Sequence, residues 1–171
     1  MAYASWSVVF GEQPSAAKWN ILGTNDAYFD GLVGSGTAWT SWNTTWTNLT
    51  EGNGVETAKY QQFGKSVKFR LGFVLGSGSS VGGAISFSLP VTSVSYSGTA
   101  TVQPIGMVKI FDSSTGKRFN GHIYWATTTT ARIKWFQVSG TAISDTDTDA
   151  SNPMVWATSD EIYIEGFYEA A

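Results

Sequence analysis

The stretch Ser66-Val-Lys-Phe-Arg-Leu-Gly-Phe-Val-Leu75 decides the fold class of this chain. Val67, Phe69, Leu71, Phe73 and Leu75 fall on one side of an extended backbone and Lys68 and Arg70 on the other. That two-residue period is the mark of a strand with one core face and one wet face. From about residue 37 onward, Gly, Pro, Asn and Asp punctuate the chain every ten or so residues, the spacing of an all-β sandwich or barrel. Between them, segments at 55–63, 84–89, 93–102, 106–112, 121–127, 131–138 and 161–168 read as further strands. Phe63-Gly64-Lys65 and Ser114-Thr-Gly-Lys117 supply hairpin-type turns. About eight antiparallel strands make an all-β fold, a jelly-roll-like β-sandwich. A helical crossover is absent, which argues against a parallel α/β sheet and most nucleotide-binding architectures.

One segment departs from this pattern: Gly11-Glu-Gln-Pro-Ser-Ala-Ala-Lys-Trp-Asn-Ile-Leu-Gly-Thr-Asn-Asp-Ala-Tyr-Phe-Asp-Gly-Leu32 has helix-like patterning. Pro14 suits the first helical position, and Glu12 and Gln13 put acceptors near the positive end of the helix dipole. Trp19, Leu22, Phe29 and Val33 follow a three-four spacing, with Asp26 in the remaining seam position. This narrow stripe fits a short helix packed against copies of itself or against the β domain. Gly23, Asn25 and Asp30 are poor helix-interior residues, so the helix needs partners to persist. The chain thus divides into a connector, residues 1–36, and a β-sandwich head, residues 37–171, with Gly34-Ser-Gly36 as a hinge.

The run GEQPSAAKWNILGTNDAYFDGL resembles the amino-terminal segment of many tail, fibre and receptor-binding proteins of bacteriophages. There, a GEQPTAAKWN-type phrase followed by an LGxNDAxF-type phrase precedes a β-rich head. Two further blocks are similar to the same group. One is Tyr60-Gln-Gln-Phe-Gly-Lys-Ser-Val-Lys-Phe-Arg70 with Leu75-Gly-Ser-Gly-Ser-Ser-Val-Gly-Gly-Ala-Ile-Ser-Phe-Ser-Leu-Pro90. The other is the ending Trp156-Ala-Thr-Ser-Asp-Glu-Ile-Tyr-Ile-Glu-Gly-Phe-Tyr-Glu-Ala-Ala171, which resembles the closing strand. The resemblance implies a homotrimeric protein of the virion surface, made in the host cytoplasm and exposed on the particle. Its partners would be other virion structural proteins, and in such a trimer the helical stripe of Trp19, Leu22 and Phe29, read above from its spacing, is the expected interface. As a tail fibre or receptor-binding tip it would attach to host-surface glycan; the alternative is a capsid decoration protein or head fibre.

Composition sets independent limits. Aromatics make up 15% of residues and charged residues only 13%, the latter roughly half the usual share. Thr, Ser, Gly and Asn must therefore cover much of the surface, and the surplus aromatic area points to subunit interfaces or a ligand face. The net charge is −3 and the ten Lys and Arg are scattered, so the clustered cations that hold nucleic acid are missing. With no cysteine, disulfides and thiolate chemistry are excluded. Met1-Ala-Tyr-Ala-Ser-Trp6 has no basic region and no long apolar run, so it does not read as a signal peptide. Nothing approaches the ~18 apolar residues of a membrane span, and membrane insertion is not expected.

Trp39, Trp42 and Trp46 stand in a Thr- and Asn-rich segment whose composition favours an extended or irregular course. They are candidate stacking platforms for sugar rings, since an aromatic face binds the C–H side of a pyranose without charge. The alternative is that they pack beneath the sandwich or at a subunit contact. Gly76-Ser-Gly-Ser-Ser-Val-Gly-Gly83 lacks the Gly-Lys-Ser/Thr of a phosphate loop and reads as a mobile loop suited to recognition.

Catalytic constellations are scarce. His122 is the only histidine and, without orienting partners, reads as structural or surface rather than catalytic. Metal ligation by His and Cys clusters is excluded by count. Asp145-Thr-Asp-Thr-Asp149 lacks the central Gly and closing Glu of a calcium loop and reads as a solvated acidic loop. Glu161 and Glu165 share strand parity ~13 Å apart, beyond the separation of glycosidase carboxylates. The expectation is a non-enzymatic binding protein without cofactor or metal. A polysaccharide-degrading enzyme is the weaker alternative.

Overall fold

The computed structural model describes residues 10, 11, 13, 15–33, 38–95 and 103–171, with the backbone alone for 28–33. One helix, α1 (Ala16–Val33), precedes β1 (Thr40–Ser41), β2 (Trp46–Thr50), β3 (Val55–Phe63), β4 (Ser66–Val74) and β5 (Ser80–Ser88). There follow β6 (Pro104–Phe111), β7 (Arg118–Thr127), β8 (Thr130–Ser139), β9 (Ala142–Asp147) and β10 (Glu161–Glu169). Among the described residues the strands form one ten-stranded sheet in the order β1-β3-β4-β10-β6-β7-β8-β5-β2, with β9 added to β8. The pairings are antiparallel.

The period-two pattern of β4 sets the layers. Val67, Phe69, Leu71 and Phe73 are fully buried while Lys68 and Arg70 are exposed. β3 and β10 flank β4 in unbroken register, so Ile162 and Ile164 fall on the same inner face. Gly64 makes the two-residue turn between β3 and β4 at φ 56, a left-handed conformation that glycine adopts without steric cost.

The sheet curls until its two halves face each other. Phe69 on β4 and Phe87 on β5 are separated along the sheet by β10, β6, β7 and β8, yet their rings lie 6.1 Å apart. An aromatic chain runs through this core: Trp46 meets Phe73 at 5.7 Å and Phe87 at 5.8 Å, and Phe69 meets Tyr168 at 5.9 Å. The segment 38–50 ties the sheet ends together. The Trp42 N–H donates to Ala58 O of β3 at 3.3 Å, and three residues later Thr45 O accepts from the Ser88 N–H of β5 at 2.9 Å. The expected all-β antiparallel sandwich preceded by one helix is what the structure shows, built from one continuous curled sheet.

Several local expectations change. The Thr- and Asn-rich stretch, for which an extended or irregular course is expected, contains the extended β2, with Asn48 at φ 63 in a bulge. The acidic stretch read as a solvated loop contains β9, which carries Asp145 and Asp147 against β8. In β9 no side chain is buried and pairing with β8 holds the segment, whereas in β2 the bulge at Asn48 puts the buried Trp46 and Leu49 three residues apart, which hides the two-residue alternation. The glycine stretch is divided: 76–79 form a turn and 80–83 belong to β5. Of the strand expected at 93–102, Ser93 makes only an isolated bridge with Ala170; residues 96–102 lie outside the described residues.

In α1, Ser15 caps the first turn by accepting from the Lys18 N–H at 3.3 Å through its hydroxyl. Pro14 and Glu12, read as the helix start, lie outside the described residues. Trp19 is 60% exposed and Leu22 half-buried, while the side chain of Phe29 lies outside the described residues. Among the described residues α1 makes no extensive contact with any strand.

Candidate functional site

The three tryptophans of the first β segment have three different environments. Trp46, at the start of β2, is in the core, and its indole N–H donates to Glu56 Oε2 at 2.6 Å. Trp42 is half-buried, edge-on to Tyr60 at 6.1 Å and to Phe69 at 6.4 Å. Trp39 lies on the outer face of β4, its ring 4.4 Å from the Arg70 guanidinium and 5.9 Å from the Lys68 ammonium. They do not form a shared stacking platform.

The loops that follow them converge at one end of the head. Residues 51–54 and 76–79 lock into a ridge: the Gly78 N–H donates to Asn53 Oδ1 at 2.7 Å, Asn53 Nδ2 to Ser77 Oγ at 3.2 Å, and the Ser79 hydroxyl to Glu51 O. A Cβ on Gly52, whose φ is 56, would sit 2.2 Å from Gly78 O, so only glycine lets the two backbones approach this closely. The stretch expected to be mobile is thus pinned at its tip.

A cleft lies on either side of this ridge. The first, about 380 Å³, opens between the glycine turn and the segment 150–158, where Ser77, Ser79, Ser80 and Thr158 surround Trp156 and Val155. Trp156 is half-buried with its indole N–H donated to Asp149 O at 2.7 Å, and Val155 is 81% exposed. The second, about 480 Å³, is lined by Trp42, Asn43, Thr44, Glu51, Glu56 and Lys59. Glu56 is fixed there by Trp46 and by the Thr44 N–H at 3.3 Å. Of the expected tryptophans, this brings Trp42 to a cleft wall and Trp46 behind it. Trp156, Val155, Glu51 and Glu56 escaped the sequence reading because they come from segments that meet only when the sheet curls.

The titratable groups elsewhere serve the frame. His122 of β7 lies between Met107 and Lys134 on the outer face, 3.5 Å from Asp145. Burial pushes its pKa down, against the Asp145 carboxylate, which pushes it up. Asp145 pairs with Lys134 at 3.1 Å and Asp147 with Arg132 at 3.9 Å, while Asp149 caps a turn by accepting from the Ser151 and Asn152 N–H groups. The three aspartates are therefore engaged separately, and no metal-binding cluster occurs among the described residues. Glu161 and Glu165 are exposed on β10, where Glu165 accepts from the Tyr163 hydroxyl at 2.7 Å. Asp112 accepts from the hydroxyls of Thr115 and Ser114, which hold its pKa down at about 2.

Comparison of the chain with family models, with curated proteins and with solved structures found no match. No helix among the described residues is long and apolar enough to cross a membrane.

Proposed function

We propose that this chain is a surface protein of a bacteriophage virion, assembled as a homotrimer and acting without catalysis as a tail-fibre or receptor-binding tip for host-surface glycan. The observation that carries the attachment role is the hydroxyl-lined end of the head, where the cleft beside Trp156 and Val155 joins donors and acceptors to an apolar wall. Sugars ask for that combination: hydroxyls to hydrogen-bond and a C–H face to cover. The amino-terminal phrase supports the virion assignment, and an exposed Trp19 on a helix with little purchase on its own head supports association through that segment.

Glycan-array binding of the whole protein, read beside adsorption of particles to host cells, tests this function. Array binding together with loss of adsorption when the protein is removed is the expected result. Full infectivity without the protein would favour the alternative of a capsid decoration protein or head fibre, for which the exposed Met107, Tyr163 and Phe167 of the outer sheet face offer a seat. Light scattering should give a trimer mass. A chain shortened to 38–171 keeps the core residues of the head and should run as a monomer, whereas one starting at Gly52 would also lose Trp46 and Leu49 from the core.

A further inference from the structure

We infer that the end of the head bearing the two clefts selects a neutral glycan and rejects carboxylated, sulfated or phosphorylated ones. This rests on the glycan-attachment reading and adds the chemical class of the ligand. Among the described residues, the lining of the first cleft contains no ionisable side chain. Across the ridge, the second cleft presents Glu51 and Glu56 against Lys59, the one cation among its described lining residues. An anionic sugar spanning this end would leave its charge unpaired in the first cleft or facing carboxylates in the second. Stripping water from a charge without supplying a partner is costly.

A neutral sugar meets no such obstacle. Ser77 Oγ accepts from Asn53 Nδ2, which leaves its proton to donate to a ligand. Val155 and Trp156 offer apolar surface to the C–H face of a pyranose. Glu51 and Glu56 are acceptors for sugar hydroxyls in the second cleft. The ridge between them is held by backbone and side-chain hydrogen bonds, so little ordering is needed on binding. Weak single sites are multiplied when several copies engage one surface.

Val155 permits a test that leaves the core alone, because it is 81% exposed at the cleft wall. The full-length protein and its Val155→Glu and Val155→Arg variants are titrated with neutral oligosaccharides (glucan, mannan and N-acetylglucosamine oligomers) and with anionic ones (alginate and hyaluronan oligomers), at about 50 and about 500 mM salt. Val138→Arg, at a site 74% exposed on β8, serves as the control. Expected are binding of a neutral oligomer that salt does not change, a loss of about tenfold or more in both Val155 variants alike, and an unaffected control. Binding of an anionic oligomer that salt weakens and Val155→Arg strengthens would overturn the neutral class while leaving glycan attachment standing. Neutral binding that neither Val155 variant changes would overturn the location. If no oligomer of either set binds while particles still adsorb to cells through this protein, the glycan reading falls and the inference with it.

Discussion

Strand β4 and the segment from Trp39 to Trp46 both carry large apolar residues, yet only one could be placed from its sequence. In β4 every second residue is apolar, the strand is paired on both edges, and Val67 to Phe73 go inward as the period demands. In the tryptophan segment the spacing of three and four fits no strand period, and the chain passes from the β3 edge to the β5 edge within a few residues. One ring ends outside the sheet, one at a cleft wall and one in the core. Periodicity predicts orientation where a single neighbour relation persists along the element; where the chain changes neighbours, residue type says that burial is needed but not where.

The hardest blow to this comparison would come from the core face of β4. Phe69 and Phe73 are 0% and 1% exposed, and each Phe→Ala change should cost about 3–5 kcal/mol in denaturant unfolding, since the ring leaves a cavity that a two-edged strand relaxes into poorly. A loss below about 1 kcal/mol at both positions would break the assignment of that face.

The fold class was legible because β4, β6, β7, β8 and β10 each carry alternation strong enough to be read from the sequence. β2 and β9 were not: the bulge in β2 breaks the spacing of its two buried side chains, and β9 is held by its ladder with none buried. The candidate site was legible only in fragments. The glycine turn and Trp42 stand out in the sequence, but the Glu51–Gly76 ridge is a long-range encounter of two turns, and Val155 and Trp156 lie in a loop without periodicity. Curvature of the sheet brings these together, and no local pattern records it.

Trp46 sharpens the contrast from the other side. Trp46→Phe keeps an aromatic ring beside Phe73 and Phe87 but removes the donor to Glu56, leaving a part-buried carboxylate short of one partner. The expected cost is about 1–3 kcal/mol, with Glu56→Gln recovering part of it in the double variant. A neutral Trp46→Phe would show that the ring alone matters and that the second cleft is not built around this bond.

Tyr168 gives a comparable but pH-dependent effect. Its hydroxyl donates to Val91 O at 2.7 Å and accepts from the Val91 N–H at 3.0 Å, and burial pushes its pKa up to about 12. The folded state therefore keeps the proton between pH 10 and 12 while the unfolded chain releases it. Stability from this group is complete below about pH 10 and falls as pH rises toward 12. Alkaline unfolding monitored by tyrosinate absorbance should show this fall in the native chain, and Tyr168→Phe should flatten it. An unchanged alkaline limb in the variant would remove Tyr168 as its source.

The smallest effect belongs to the wet face of β4, and its smallness is what makes it informative. Lys68 is exposed, with its ammonium 5.9 Å from the Trp39 ring, while the Arg70 guanidinium covers the same ring at 4.4 Å. Exposed cation–π contacts are worth about 0.5–1 kcal/mol, and the closer cation remains when the farther one is removed. Lys68→Ala should thus cost under about 1 kcal/mol, one residue away from a change costing several times more. Arg70→Ala should cost slightly more than Lys68→Ala, because it takes the closer contact from Trp39. Should Lys68→Ala instead destabilise the head as much as Phe69→Ala, the outer face would have to be covered in solution. The same chain shortened to 38–171 would then separate the two possible covers: loss of the excess cost would identify the amino-terminal segment, and its persistence would identify contacts between heads.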